Sequence, residues 1–167
     1  MSKTVIRIAG LSLASVFACG FVTSANAQLV THKDLSLAMA ITMAQTAIAT
    51  CKANGYNVSA NVVGRGGEVI VAMRGDNASP HTVENSRRKA YTARTFRRSS
   101  GEIAKLVKDN PTAGLVHLHG VIALQGALPI KVGDDVIGAV GVSGSPGGDK
   151  DEACAKAGID KVSAELK

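Results

Sequence analysis

The sequence predicts an α+β fold in a single domain, an antiparallel sheet with helices packed on it. Three observations predict it. Strand-length segments are joined by short turns, Gly64-Arg65-Gly66-Gly67 and Gly133-Asp134-Asp135, and such turns join antiparallel neighbours. Amphipathic segments of helical length stand before, between and after these hairpins. No internal repeat, low-complexity tract or linker divides the chain.

Residues 36–54 open the order as a helix. Leu37, Ile41, Ala44, Ile48 and Cys51 recur at spacings of three and four and so share a face. Ser36 is the expected N-cap and Gly55 the residue that ends the helix. Val58, Ala60 and Val62 then alternate with polar residues as in a half-buried strand. After the glycine turn, Val69 to Met73 return as a second strand, and 74–80 is loop. A second helix is expected over 82–98, with Val83, Ser86, Ala90 and Ala93 on a narrow small-residue face. Ser100 is the expected cap of a short helix over 101–108, which Asn110-Pro111 breaks. Residues 113–120 read as loop. Val121-Ile122-Ala123-Leu124 reads as the start of a third strand.

The stretch 127–154 carries the densest pattern. Leu128, Ile130 and Val132 alternate with Pro129 and Lys131. Gly133-Asp134-Asp135 turns the chain, since Gly and Asp tolerate positive φ. Val136 to Val142 is a small, apolar run that suits a central strand covered on both faces. Gly144, Gly147 and Gly148 follow. Asp149, Asp151 and Glu152 then place negative charge where a helix N-terminus favours it. The last helix runs from about 149 to 166, with Ala155, Ile159, Val162 and Leu166 on one face.

Two blocks carry a family resemblance. Gly126-Ala127-Leu128-Pro129-Ile130, Ile137-Gly138-Ala139-Val140-Gly141-Val142-Ser143-Gly144 and the acidic start of Ala153-Cys154-Ala155 form one. Pro80-His81-Thr82 through Arg88-Lys89-Ala90-Tyr91-Thr92-Ala93 forms the other. In this order they resemble the GlcG/HbpS-type haem-binding family, which also includes the C-terminal domain of PduO-type adenosyltransferases. The likeness covers roughly residues 35–166, with Ala127 where the family's turn has a second glycine. It implies a five-stranded antiparallel sheet sandwiched between helices. It also implies assembly into homo-oligomers and haem as the cofactor, with haem degradation or redox sensing in some members.

The first 27 residues read as a signal peptide. Lys3 and Arg7 form a basic start, Ile8 to Val22 an apolar centre, and Ala25-Asn26-Ala27 a small-x-small cleavage site. Val16-Phe17-Ala18-Cys19 faintly resembles a lipoprotein site, but Phe17 fits that pattern poorly. The apolar run is too short and glycine-broken to favour a spanning helix. Residues 28–167 are then the mature domain, periplasmic or secreted, with no transmembrane segment. Loss of Lys3 and Arg7 lowers the formal charge from +6 to +4, because residues 1–27 hold no acid. That mild basic balance favours anionic small ligands. Tyr56, Tyr91 and Phe96 are the mature chain's aromatics, too few for base stacking, which argues against nucleic acid. Cys51 and Cys154 are either two small buried residues or a disulfide, which export permits.

The glycine loop before the last helix is read as structural. Its acidic first turn repels phosphate, and no lysine follows the last glycine as a P-loop requires. His32 lies near the mature N-terminus, and His117 and His119 share a face only in an extended segment. His81 is the more telling histidine, because it opens a basic helix. Haem needs an apolar slot, an iron ligand and cations for two propionates. His81 or Thr82 is the candidate for the iron, with His81 the metal ligand, and Arg87, Arg88 or Lys89 for the carboxylates. Tyr91 is a candidate to stack or to donate a hydrogen bond. Long side chains such as Lys89 can equally pin the helix to the sheet. No Cys-x-x-Cys-His motif occurs, so haem would be non-covalent. The alternatives are an enzyme acting on a small organic acid or on haem itself, and an accessory oligomer without cofactor. No nucleophile–base pair or paired carboxylate supports the enzyme.

Overall fold

Val63, Ala139 and Ala127, from three different strands, pack together on one face of a sheet, while Val62, Val140 and Ile130 pack on the other. This period-two division places both sheet faces inside the protein. The computed structural model describes residues 28–167, so the signal-peptide segment lies outside the described residues. Residues 32–167 form one compact unit, with α1 (Leu37–Ala53), β1 (Ser59–Val63), β2 (Val69–Arg74), α2 (His81–Phe96), α3 (Ser100–Asp109), β3 (Ala127–Val132), β4 (Asp135–Ser143) and α4 (Gly148–Lys161).

The sheet has four strands among the described residues, not five, in the order β2-β1-β4-β3 with every pair antiparallel. The segment expected to begin a third strand, 121–124, joins no strand. Its backbone is committed to α2 instead. Val121 O accepts from Arg88 Nη2 at 2.6 Å, and Ile122 N donates to Thr92 Oγ1 at 2.9 Å.

α1 and α4 cover one face of the sheet, and α2 covers the other. On the first face Ala40, Met43, Ala44 and Ala47 are fully buried with Val62, Val140 and Val142. The small residues of α1 are therefore consumed within the chain, where they cannot serve a helix contact between copies. Cys51 of α1 and Cys154 of α4 form a disulfide with Cα atoms 5.7 Å apart. Ser36 caps α1 through Met39 N, and Gly55 follows its end at φ +82°.

The α2 face departs from the half-buried strand expected of 58–62, because all five residues of β1 are buried. Its polar side chains are satisfied by α2. Asn61 Nδ2 donates to Val83 O at 3.0 Å and Ser86 Oγ at 2.7 Å. Close approach explains Gly141. A Cβ there would lie 2.2 Å from Ser86 O and 2.7 Å from Ala90 N, on the backbone of α2. In β4 the register shifts so that Ile137 is the extra residue between the partners of Ile130 and Lys131. This bulge keeps Ile137 in the core.

α2 begins at His81 and ends at Phe96, with Arg97 in the left-handed conformation. The cap of α3 is Ser99, not Ser100. Ser99 and Glu102 form a reciprocal capping box, while buried Ser100 Oγ accepts from Ala127 N. The last helix stops at Lys161, and a 3-10 turn over Ser163–Glu165 follows.

Candidate functional site

A pocket of about 370 Å³ opens at the start of α2. Three parts of the chain build it. The first turn of α2 supplies His81 and Thr82, the loop after β4 supplies Ser143 to Gly148, and Leu124 and Gln125 close a side. The local sequence explains the arrangement. Pro80 precedes α2 and contributes no side-chain cap, so His81 stands exposed at the first helical position. Thr82 turns inward, shares a 2.7 Å hydrogen bond with Ser59 Oγ and donates to Ser79 O at 2.7 Å.

Lys89 and Asp151 also line this pocket. Lys89 Nζ donates to Asp151 Oδ2 at 2.7 Å and to Val142 O at 3.1 Å. Their side chains are 5% and 4% exposed, so the pair is one of the few charged features sealed in this protein. Asp151 Oδ1 accepts from Ser145 N at 3.0 Å and Ser145 Oγ at 2.6 Å. The carboxylate thus fastens the glycine-rich loop, the start of α4 and α2 together. Gly126 packs over the pair at φ +133°, where a Cβ would come within 2.8 Å of Lys89 Nζ. Glycine permits both the φ and the approach.

Of the residues proposed from sequence, His81, Thr82 and Lys89 meet at this pocket, and Arg87, Arg88 and Tyr91 do not line it. Arg87 forms an exposed pair with Glu84 at 2.7 Å. Arg88 holds Val121 O. The Tyr91 ring packs over Gly67 and Gly120, leaving no room for a Cβ on Gly67. His117 and His119 are exposed, and no group of three metal-ligating side chains occurs among the described residues.

Sequence reasoning missed Asp151, Ser145 and Gln125 as pocket residues. One signal pointed to Asp151. Lys89 belongs to the same helical face as Ser86, Ala90 and Ala93, and a lysine on a buried face requires a carboxylate partner. Nothing local to Lys89 says that the partner lies 62 positions on.

A family model described as haem-degrading protein, HbpS-like, matches residues 35–160. The chain belongs to the HbpS-like family. A crystal structure of HbpS is 33% identical and superimposes with a TM-score of 0.77, covering 83% of this chain and 97% of that one. GlcG of Escherichia coli K12 is 34% identical over 90 residues, which are 54% of this chain and 66% of GlcG. The PduOC haem complex shares the fold at 22% identity and TM-score 0.70, covering 76% of this chain and 94% of that one. The resemblance read from the two sequence blocks is therefore to the right family, and its five-strand expectation is corrected to four for this HbpS-like chain.

A second, neighbouring hollow shares Gln125 and contains Glu152. Burial pushes the Glu152 carboxyl above its ordinary value. A hydrogen bond with Gln125 opposes the shift, and the Glu102 charge adds to it. Its Oε2 has no hydrogen-bond partner. A carboxyl with a raised folded-state value favours folding fully below its unfolded value, and that contribution is lost as pH rises through the folded value. Glu152→Gln is therefore expected to raise the thermal midpoint at neutral pH, with the gain vanishing in acid where both states are protonated. Midpoints for the two proteins across pH test this. An unchanged difference from acid to neutral pH would remove the titration as its cause.

Proposed function

We propose that this HbpS-like protein is an exported haem-binding protein that holds haem non-covalently at the start of α2. The observation that carries the reading is His81, an exposed imidazole at the rim of a pocket that also holds Thr82 and Lys89. Family membership supports a haem-related function. Imidazole is a common axial ligand, and hydroxyls and an ammonium suit propionates. Leu124 is the large apolar side chain in the lining and is 45% exposed. The residues thus fit the ligand and carboxylate ends of haem, while most of the macrocycle would lie outside this small pocket.

The bound haem would supply iron and porphyrin redox chemistry, in storage, sensing or degradation. The chain's own part is to place the imidazole and the polar anchors. Titration with haem is expected to give a Soret band distinct from free haem. His81→Ala is expected to shift that band and weaken binding about tenfold or more, as loss of metal-site partners does. A titration equal to free haem plus buffer would end the reading. Equal spectra for the two proteins would move the ligand to Thr82, His117 or His119.

Export to the periplasm or medium rests on the basic, apolar and Ala-x-Ala pattern of 1–27. The Cys51–Cys154 bond supports it, because such bonds persist in oxidising compartments. No helix among the described residues is long and apolar enough to cross a membrane. The homo-oligomer rests on the resemblance to a family that assembles into multimers. Mass measurements on the exported protein test both points. The intact mass is expected to begin at Gln28, and light scattering to exceed one chain. A chain beginning at a lipidated Cys19, or a single-chain mass, would refute the respective statement.

A further inference from the structure

We infer that the outer edge of β2 is a self-pairing edge, where β2 of a second copy of this chain adds antiparallel and joins the two sheets. The inference rests on the homo-oligomer reading and deepens it by naming the surface. β2 and β3 are the outer strands of the sheet. An open strand edge is a template for another chain, and proteins commonly blunt it with proline or lysine. β3 is blunted in this way by Pro129 and Lys131. β2 is not. Val69 to Met73 are successive apolar residues, and Val69 is 44% exposed. Arg74, the strand's single charge, folds back so that its Nε donates to Ala78 O at 2.8 Å.

The ladder shows which backbone groups are open. Gly75 N donates to Val58 O at 3.0 Å, and the pairing of β1 with β2 is regular from Ser59 and Arg74 to Val62 and Val71. Bonded pairs alternate along an antiparallel ladder, so Val71 and Met73 spend their N–H and C=O groups on β1. Those of Ala72 point away from the sheet. A bulge at Ile70 ends the regular stretch, which centres the pairing on Ala72.

The geometry selects a second copy as the occupant. Two identical strands pair antiparallel about a two-fold axis. An axis at Ala72 sets its donor and acceptor against the acceptor and donor of its own copy, and the contact closes on itself. No like charges meet along Val69 to Met73, where they would oppose pairing. The axis runs perpendicular to the sheet, so the two α1 helices share one face. Ile48 and Ala49 of α1 and Met73 of β2 line a groove of about 420 Å³. The second copy's α1 covers it from across the axis.

Ala72→Pro and Ala72→Lys test the edge by light scattering. The Ala72 N–H is unused within the chain and its side chain is exposed, so an edge strand accepts either change. The wild type is expected above one chain mass, and both variants at half the wild-type mass or less with unchanged far-UV circular dichroism. Ala72→Cys reads the geometry. Facing residues of a bonded pair have Cα atoms about 5.5 Å apart, within disulfide range, and Cys51 and Cys154 are already joined. Oxidation is expected to give a covalent dimer on a non-reducing gel, while Lys131→Cys on the opposite edge stays single. A single-chain mass for the wild type would overturn this inference together with the homo-oligomer. If Ala72→Lys keeps the wild-type mass and Ala72→Cys stays single, the edge is overturned and the homo-oligomer stands. Cross-linking through Lys131→Cys in place of Ala72→Cys would do the same. Should Ala72→Pro fail to fold, the lysine and cysteine variants decide.

Discussion

Asp151→Ala is expected to cost about 3–5 kcal/mol of folding stability, the range for breaking a buried ion pair from one side. The variant strands Lys89 as an uncompensated charge in a side chain only 5% exposed. It also releases Ser145 N and Oγ, which hold the loop against α4. Lys89→Met combined with Asp151→Asn supplies the control. It removes both charges, and the Asn oxygen can still accept from Ser145. Because replacing both members of a buried pair is often nearly neutral, the double variant is expected to recover most of the loss. Urea unfolding of the wild type, the single variant and the double variant checks this. A double variant as unstable as the single one would mean that packing, and not the stranded charge, sets the cost.

Removal of the Cys51–Cys154 disulfide is expected to cost about 4–5 kcal/mol. The bond closes a loop across a sequence separation of 103. On the chain-entropy model a loop of ~100 residues gains about 4.7 kcal/mol from its cross-link. The bond joins α1 to α4 on one sheet face and so holds the two ends of the domain together during unfolding. Cys51→Ala with Cys154→Ala, or reduction of the wild type, should lower the denaturant midpoint by similar amounts. Mass analysis of the unreduced, denatured protein should find no free thiol at either position. Two alkylated cysteines there would show that they are separate buried residues.

The two effects have different origins. Loss of Asp151 acts on the folded state, by leaving a charge in a poorly solvated place. Loss of the disulfide acts chiefly on the unfolded state, by restoring chain entropy. Only the first should alter the pocket. It is accordingly expected to weaken haem binding under conditions where the protein remains folded, whereas the cysteine variant should not.

The sequence by itself determined the elements and the family. Periodicity marked α1, α2 and α4, and the glycine turns at 64–67 and 133–135 marked both hairpins. These signals are local: a helix repeats over four residues and a tight turn over two to four. The order of the two motif blocks was enough to recognise the HbpS-like family. It named His81, Thr82, Arg87, Arg88, Lys89 and Tyr91 together as candidates, and nothing in that pattern separated the three that line one pocket from the three that do not.

What only the tertiary structure decided depends on contacts far apart in the chain. The 121–124 segment has strand-like composition, but Arg88 and Thr92 of α2 take its backbone groups, and a strand needs those groups for a neighbour. Ser59 and Asn61 look like an exposed strand face until α2 covers them and satisfies their polar atoms. Asp151 reads as a helix-start charge until the sheet brings Lys89 to it from 62 residues away. The cysteines meet because α1 and α4 pack on the same sheet face, with their Cα atoms 5.7 Å apart. Composition sets no such distance. Strand order and helix packing do, and they place the charged pair and the imidazole around one pocket.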